Sequence, residues 1–357
     1  MIGVIIAVIL FLGIIMLLAL PHELGHFLAA KRYGVRVDEF GLGLPPRLLA
    51  IKRGETVYSL NAIPFGGFTK LAGELDPSLP NGLASKSTGV RFVVLVIGSL
   101  INALLSVFLL AIPLMITHEI ILEKVLVRDI LQDSPAALAG IQAGDQILVV
   151  DSQPVHNVRD LKNRIYVNLG SEINIRVRHP DSSTQDFKIA PRWFVSGQEN
   201  ATGLVVSGSN SRSVNQRYPF WQAIPLAFTT VVDMFLIFKN VFIGMILGIT
   251  PVVLMGPIGL THFISELLNF GLSYIFLLKF SAFLSANLAI INLFPLPALD
   301  GGRIAFVLLE WFRRGKRVPP KIEGLIHGFG FGLIIILAVF IACQDILRII
   351  DGNQFLK

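Results

Sequence analysis

The run HELGH at residues 22–26 sets two imidazoles four positions apart, with a carboxylate directly after the first. On a helix, residues four apart differ by about 400° of rotation and about 6 Å of rise, so His22 and His26 project from one face, one turn apart. That spacing lets both rings reach one tetrahedral metal ion. Glu23 lies about 100° round the helix from His22. From there it can reach a water beside the ion without displacing either ligand, the placement of a general base in H-E-x-x-H hydrolases. The competing reading is a pair of packing histidines in a bundle. Position argues against it: Met1–Leu20 carries no charged residue, and an ionised side chain in a spanning segment costs about 3 kcal/mol unless it is paired or lines a cavity. Bound zinc would give all three groups a partner.

A catalytic zinc needs a third protein ligand and one position open to water. With one cysteine, Cys343, the chain can form neither an intrachain disulfide nor a cysteine metal cluster. The best candidate is Asp300, in NLAIINLFPLPALDGGR. Pro295 and Pro297 prevent a continuous helix there, and irregular backbone is tolerated at membrane depth only where it faces protein or water. Gly301 and Gly302 permit close backbone approach after the ligand. The competing reading of Asp300 is a cap at an interface turn. The other histidines, His118, His156, His179, His262 and His327, lack a second ligand at metal spacing and read as structural or surface groups.

These groups must be positioned by membrane helices. The chain is 53% hydrophobic and 15% charged, with a mean hydropathy of +0.69, well above a soluble mixture. A span needs roughly 20 apolar residues, and residues 3–30, 92–117, 273–296 and 325–350 qualify. The first reads as a retained spanning helix, since its apolar run is too long for a secretory signal and lacks the basic start of one. Basic residues crowd the loop between the first two spans and the RRGKR run at 313–317, so both face the cytoplasm by the positive-inside rule. The first span then ends inside at His22–His26 and the third ends inside at Asp300. The net charge of +6 is explained by this loop placement, and no nucleic-acid partner is expected. A fifth run, 223–249, carries Asp233 and Lys239. A single crossing there would put RRGKR outside, so it reads as an interfacial helix, or as one arm of a re-entrant pair with TPVVLMGPIGLTHFI.

The outward segment looks soluble. KVLVRDIL and EINIRVRH alternate like strands, and DLKNRIYVNLG suggests a short helix ending at Gly170. At its centre SPAALAGIQAGDQILVVDSQPV, residues 134–155, resembles a PDZ domain of the bacterial membrane-protease type, with helix, Gly-Asp turn and strand in that order. PDZ domains bind an extended peptide at a sheet edge.

H-E-x-x-H on a first span, N-x-x-P-x-P-x-L-D-G-G on a later one and a PDZ domain between them together resemble the site-2 protease family of intramembrane zinc metalloproteases, nearest to bacterial members that act on anti-sigma factors. The resemblance implies zinc ligands at His22, His26 and Asp300, Glu23 as catalytic base, and substrate contact by Asn292. It implies a β-rich membrane-associated region after the first helix, which FGLGLPPRLLAIKRGETVYSLNAIPFGGFTKLAGE fits. There Tyr58, Leu60 and Ala62 alternate with Ser59 and Asn61 as a strand would. Gly41, Gly43, Gly66 and Gly67 would let a substrate backbone approach, or are ordinary turn glycines. Relatives acting on anti-sigma factors often carry two PDZ domains, and this chain shows one.

The expected fold is therefore a polytopic α-helical membrane protein of about four transmembrane helices, with a membrane-associated β-rich region and an inserted PDZ domain. The expected order is a first span at 1–33, the β-rich region at 34–90, a second span at 91–117, the PDZ domain at 122–206, interfacial or re-entrant helices at 219–270, a third span at 271–312 and a fourth at 322–351. The partners implied are a single-span membrane protein substrate, a peptide or substrate terminus at the PDZ domain, and membrane lipid. The implied location is a bacterial inner membrane, with the site toward the cytoplasm and the PDZ domain outside. The substrate could be an anti-sigma factor or a leftover signal peptide. A catalytically inactive PDZ-bearing scaffold is the competing class. A transporter would need further charges buried in the other spans, and these are largely absent.

Overall fold

The computed structural model describes residues 2–193, 201–249, 255–269 and 271–351. The chain divides into two compact units, residues 1–110 with 254–357, and residues 111–253.

The first unit begins with α1 (Ile2–Arg32), which carries the whole apolar run and continues through Pro21. Two long strands follow, β1 (Val37–Arg53) and β2 (Thr56–Leu71). They form an antiparallel ribbon that doubles over on itself: Ser59 is paired with both Ala50 and Gly41, and Gly41 also with Phe68. The segments therefore lie in the order 47–53, 56–63, 37–44 and 67–71. The expected alternation at 58–62 is present with its burial inverted. Tyr58 and Leu60 are 38% and 43% exposed, whereas Ser59 and Asn61 are 7% and 4% exposed. Ser59 Oγ donates to Glu39 Oε1 at 2.7 Å, Arg47 pairs with Glu39, and Asn61 Nδ2 donates to the Gly43 carbonyl at 3.0 Å. An apolar exterior over a hydrogen-bonded polar interior is the pattern of a sheet whose outside is lipid.

The second span, α2 (Thr88–Met115), starts four residues before the expected 92, because hydropathy undercounts the polar first turn that lies outside the apolar run. In the second unit β3 (His118–Ile130), α3 (Pro135–Ala139), β4 (Gln146–Val150), β5 (Gln153–Pro154), α4 (Val158–Val167), β6 (Ile173–Arg178), β7 (Thr184–Ile189) and β8 (Leu204–Gln216) follow. The sheet order is β7-β6-β4-β3-β8, with β5 on β4, and Leu161 and Ile165 of α4 close its core. Helix, Gly144–Asp145 turn and strand occur in the expected sequence. β3 and β8 pair from His118–Gln216 to Ile130–Leu204, a ribbon longer than the expected bounds of 122–206. α4 stops at Val167, before Gly170, because Asn168 turns its amide back onto the Arg164 carbonyl at 2.9 Å. The NAT acceptor pattern begins at Asn200, outside the described residues.

The fifth apolar run forms α5 (Phe220–Ile246), so among the described residues five helices are long and apolar enough to cross a membrane. α5 is held by the folded domain: Asn240 Nδ2 donates to the Tyr166 and Val167 carbonyls at 2.7 and 3.0 Å, capping the end of α4.

Returning to the first unit, α6 (Pro257–Asn269) packs along α1. α7 (Tyr274–Leu293) ends two residues before Pro295, and α8 (Asp300–Phe312) restarts the chain at Asp300. The 273–296 span is thus shorter than expected, as the prolines dictate. α9 (Pro320–Ile350) begins five residues before the expected 325, with proline at a helix start where no amide is needed. Its buried Asp345, 0% exposed, accepts from the Gly256 and Gly259 amides at 3.0 and 2.8 Å. An acidic group within a span here caps α6.

Asp145 is likewise buried. Its Oδ2 accepts the Gln142 amide at 2.9 Å and its Oδ1 lies 2.6 Å from His179 Nδ1. The hydrogen bond to Asp145, with a smaller one to Gln185, raises the His179 pKa above its ordinary 6.5. A raised folded-state pKa gives stability that is complete below pH 6.5 and lost as pH rises through the folded value. We therefore expect amide-exchange protection of the 142–147 turn in the full-length protein, corrected for intrinsic rates, to fall across that window. In His179→Asn it should be flat there; an equal fall in the variant would remove His179 as the cause.

Candidate metal centre

The expected ligands converge. His22 and His26 Nε2 are 3.1 Å apart, and Asp300 Oδ2 lies 3.2 Å from each. Both histidines are buried and Asp300 is half-buried. Among the described residues this is the one His/Asp/Glu group of metal-binding geometry. Three acceptor atoms on a triangle of this size match a tetrahedral ion, because metal bonds of about 2.0–2.1 Å put neighbouring ligands about 3.3 Å apart. The donor set of two imidazoles and one carboxylate suits zinc.

The surrounding shell prepares those atoms. His26 Nδ1 lies 2.7 Å from the Val94 carbonyl of α2, which accepts a hydrogen bond from Nδ1–H and so leaves the Nε2 lone pair for the ion. Asn102 Nδ2 is 3.4 Å from His22 Nδ1, while Asn102 Oδ1 is buried with no hydrogen bond. A half-turn of that amide would let Oδ1 accept the Nδ1 proton of His22. Ser285 of α7 donates to the Asn102 carbonyl at 2.8 Å, tying α7 to α2 at this level. α2 reaches the rings because residue 98 is glycine: an added Cβ would lie 2.3 Å from His26 Nε2 and 2.7 Å from His22 Cε1.

Asp300 opens α8, where the helix dipole favours a carboxylate. The turn before it is forced. Ala298 has φ +75°, unusual for a residue with a side chain, and its amide donates to His327 Nδ1 of α9 at 2.9 Å. Gly330 of α9 admits Pro297, whose Cβ would be 2.2 Å from an added methyl. Gly301 and Gly302 allow the close approach expected of them, with added Cβ atoms 2.0 Å from the Phe294 carbonyl oxygen and 2.3 Å from that of Leu296.

Glu23 is half-buried on α1 beside the ligands. Thr69 Oγ1 of β2 donates to the Glu23 carbonyl at 2.9 Å, and an added Cβ on Gly67 would lie 3.5 Å from Glu23 Cγ. The sheet segment 67–71 is thus placed next to the carboxylate. Gly41 and Gly43 face the hairpin itself, against the Phe68 ring and the Ile63 carbonyl, and Gly66 has φ +78°. Asn292 is half-buried in the last turn of α7 and its side-chain amide makes no hydrogen bond among the described residues. Sequence reasoning passed over Gly98, Asn102 and Thr69, and read His327 as structural or surface without the partner it holds. Asn102 was visible as a polar residue in a span; His327 is 29 residues from its partner and carries no local signal.

The family model described as Peptidase family M50 matches residues 8–337. A protein of Clostridium acetobutylicum is 30% identical over 97% of each chain. The zinc metalloprotease RasP of Oceanobacillus iheyensis is 26% identical over 97% of this chain and 99% of its own. The chloroplastic membrane metalloprotease ARASP of Arabidopsis thaliana is 30% identical over 92% of this chain and 76% of its own.

The crowding at Gly98 is testable without touching a ligand. Gly98→Ala should retain zinc at least about tenfold more weakly than wild type, as disturbed ligand supports do. Gly89→Ala, on the same helix with open space around it, should bind normally; elemental analysis under graded chelator would show a difference or refute it.

Proposed function

The chain belongs to peptidase family M50, and on that premise we propose that it hydrolyses peptide bonds within or near the transmembrane segments of single-span membrane proteins. The observation that carries the reading is the buried triangle of His22, His26 and Asp300 with Glu23 on the same helix turn. His22, His26 and Asp300 would hold zinc, which when bound supplies a Lewis acid that acidifies water and stabilises an oxyanion. Glu23 takes a proton from the attacking water on its carboxylate and returns it to the leaving amine. The Asn292 amide would hydrogen-bond the backbone of the unwound substrate.

A helical substrate shields its carbonyls in its own hydrogen bonds and must open first. Segment 67–71, one of the two outer segments of the doubled ribbon and the one adjacent to Glu23, offers an edge onto which an extended substrate would add as a strand. Gly41, Gly43, Gly66 and Gly67 keep this region thin. The domain with α3, the Gly144–Asp145 turn and β4 is read as PDZ. Its edge strand β8 and helix α4 would take a peptide or substrate terminus.

The location proposed is a bacterial inner membrane with the metal site toward the cytoplasm and the PDZ-like domain outside, supported by the two basic loops. α5 is placed along the outer surface, supported by the Asn240 cap on a water-soluble domain. The substrate class includes anti-sigma factors and leftover signal peptides. An inactive scaffold would need a missing catalytic group, and the ligands and the base are all present.

Glu23→Gln should lower cleavage of a co-expressed single-span substrate by about 10²–10⁴-fold while keeping zinc. His22→Ala should lose both. Full cleavage in Glu23→Gln would refute the assignment of the base, and equal zinc in His22→Ala would favour the scaffold.

A further inference from the structure

A cavity of about 270 Å³ lies beside α8, lined by α2, α8, the loop after β2 and the start of α9. Six charged residues enter its wall: Glu74, Arg91, Arg303, Glu310, Arg317 and Glu323. The formal charges balance, but the pairing does not. Glu310 accepts from Arg91 Nη2 at 2.6 Å and from Arg317 Nε at 3.1 Å, and Glu74 accepts from Arg303 Nη2 at 2.7 Å. Two carboxylates are therefore occupied. The Glu323 carboxylate makes no hydrogen bond or ion pair among the described residues, although it lines the same cavity as three guanidinium groups. Arg91, nine-tenths buried, keeps its Nε without a partner.

An unmet acceptor and an unmet cationic donor that share a cavity without pairing call for an occupant carrying both complements. It must bring an anionic group for Arg91 and Arg303 and a hydrogen-bonding cation for Glu323. The location narrows the choice. Arg91 is in the first turn of α2 and Glu323 in the first turn of α9, both apolar enough to span. The ends of such helices lie at headgroup depth, and basic pockets between them take lipid headgroups.

We propose that this cavity binds the phosphoethanolamine headgroup of a membrane lipid, with the phosphate on Arg91 and Arg303 and the ammonium on Glu323. The acyl chains run down the exposed apolar face of α9, where Leu325 and Phe329 stand outward. Arg303 follows Asp300 by one helical turn, so the headgroup also braces the helix that carries the third ligand. A trimethylated ammonium lacks the N–H to donate to Glu323, and a glycerol headgroup lacks the cation.

The test is native mass spectrometry of the full-length protein in dodecyl maltoside with equimolar phosphatidylethanolamine, phosphatidylglycerol and phosphatidylcholine. Wild type should retain phosphatidylethanolamine about tenfold over the other two, as expected for one charge-assisted hydrogen bond. Glu323→Gln, checked for wild-type zinc content, should retain all three alike. Soluble phosphoethanolamine at the lipid's concentration should not displace it; displacement would assign the site to a soluble zwitterion and overturn the lipid. Equal retention of the three lipids by wild type overturns the proposal without need of the variant. An undiminished preference in Glu323→Gln overturns the role of that carboxylate.

Discussion

Two imidazole nitrogens and a carboxylate oxygen held within 3.2 Å of one another, at the depth of an apolar helix, make an arrangement suited to a cation among them. Acceptor lone pairs at that distance repel, and the low dielectric around them strengthens the repulsion. The same medium makes the attraction to a bound cation large, so the ligands and the ion support each other. Much of the first unit can be read as the apparatus that brings Asp300 to the two histidines across 274 residues of chain.

That apparatus works by removing atoms as much as by adding contacts. Gly98 lets α2 touch both rings, Gly330 lets α9 receive Pro297, and Gly301 and Gly302 let the turn fold over the start of α8. Close backbone approach through small residues is how membrane helices pack when no hydrophobic force drives them together. Polar atoms then fix what packing leaves free. Val94 and Asn102 set the imidazoles, His327 holds the strained amide of Ala298, and Arg91 with Arg317 fastens the far end of α8 through Glu310. Hydrogen bonds from the two arginines overcome the burial that would raise the Glu310 pKa and hold it below the usual carboxylate range, so the fastening stays charged.

What the sequence revealed follows from the range of each interaction. The long apolar helices, the H-E-x-x-H face and the proline break before Asp300 are local patterns, decided within a few turns by hydropathy, helix period and proline sterics. The strand at 58–62 was equally legible as an alternation. Its facing was not, because periodicity is the same whether the apolar side meets a core or lipid. Asn240 carries no local signal within its apolar run, and only the α4 carbonyls it caps explain it. Asp345 is the same case within α9. His327 and Gly98 serve partners far along the chain, so their neighbours in sequence say nothing of the constraint.

The inverted hairpin ties these levels together. A sheet with lipid outside must satisfy its polar groups inward, and Glu39, Ser59, Asn61 and Arg47 do so with one another. The interior of the ribbon is then a polar seam bounded by apolar faces, and its last segment runs past Glu23, with Thr69 bonded to that residue's carbonyl. On the proposed reading, an extended substrate segment added at 67–71 would find backbone partners where lipid offers none. Opening a transmembrane helix loses internal hydrogen bonds that only such an edge can replace at that depth. The sheet and the metal centre therefore answer one problem from two sides: the edge makes an opened carbonyl tolerable, and the triangle of ligands lies where that carbonyl would arrive.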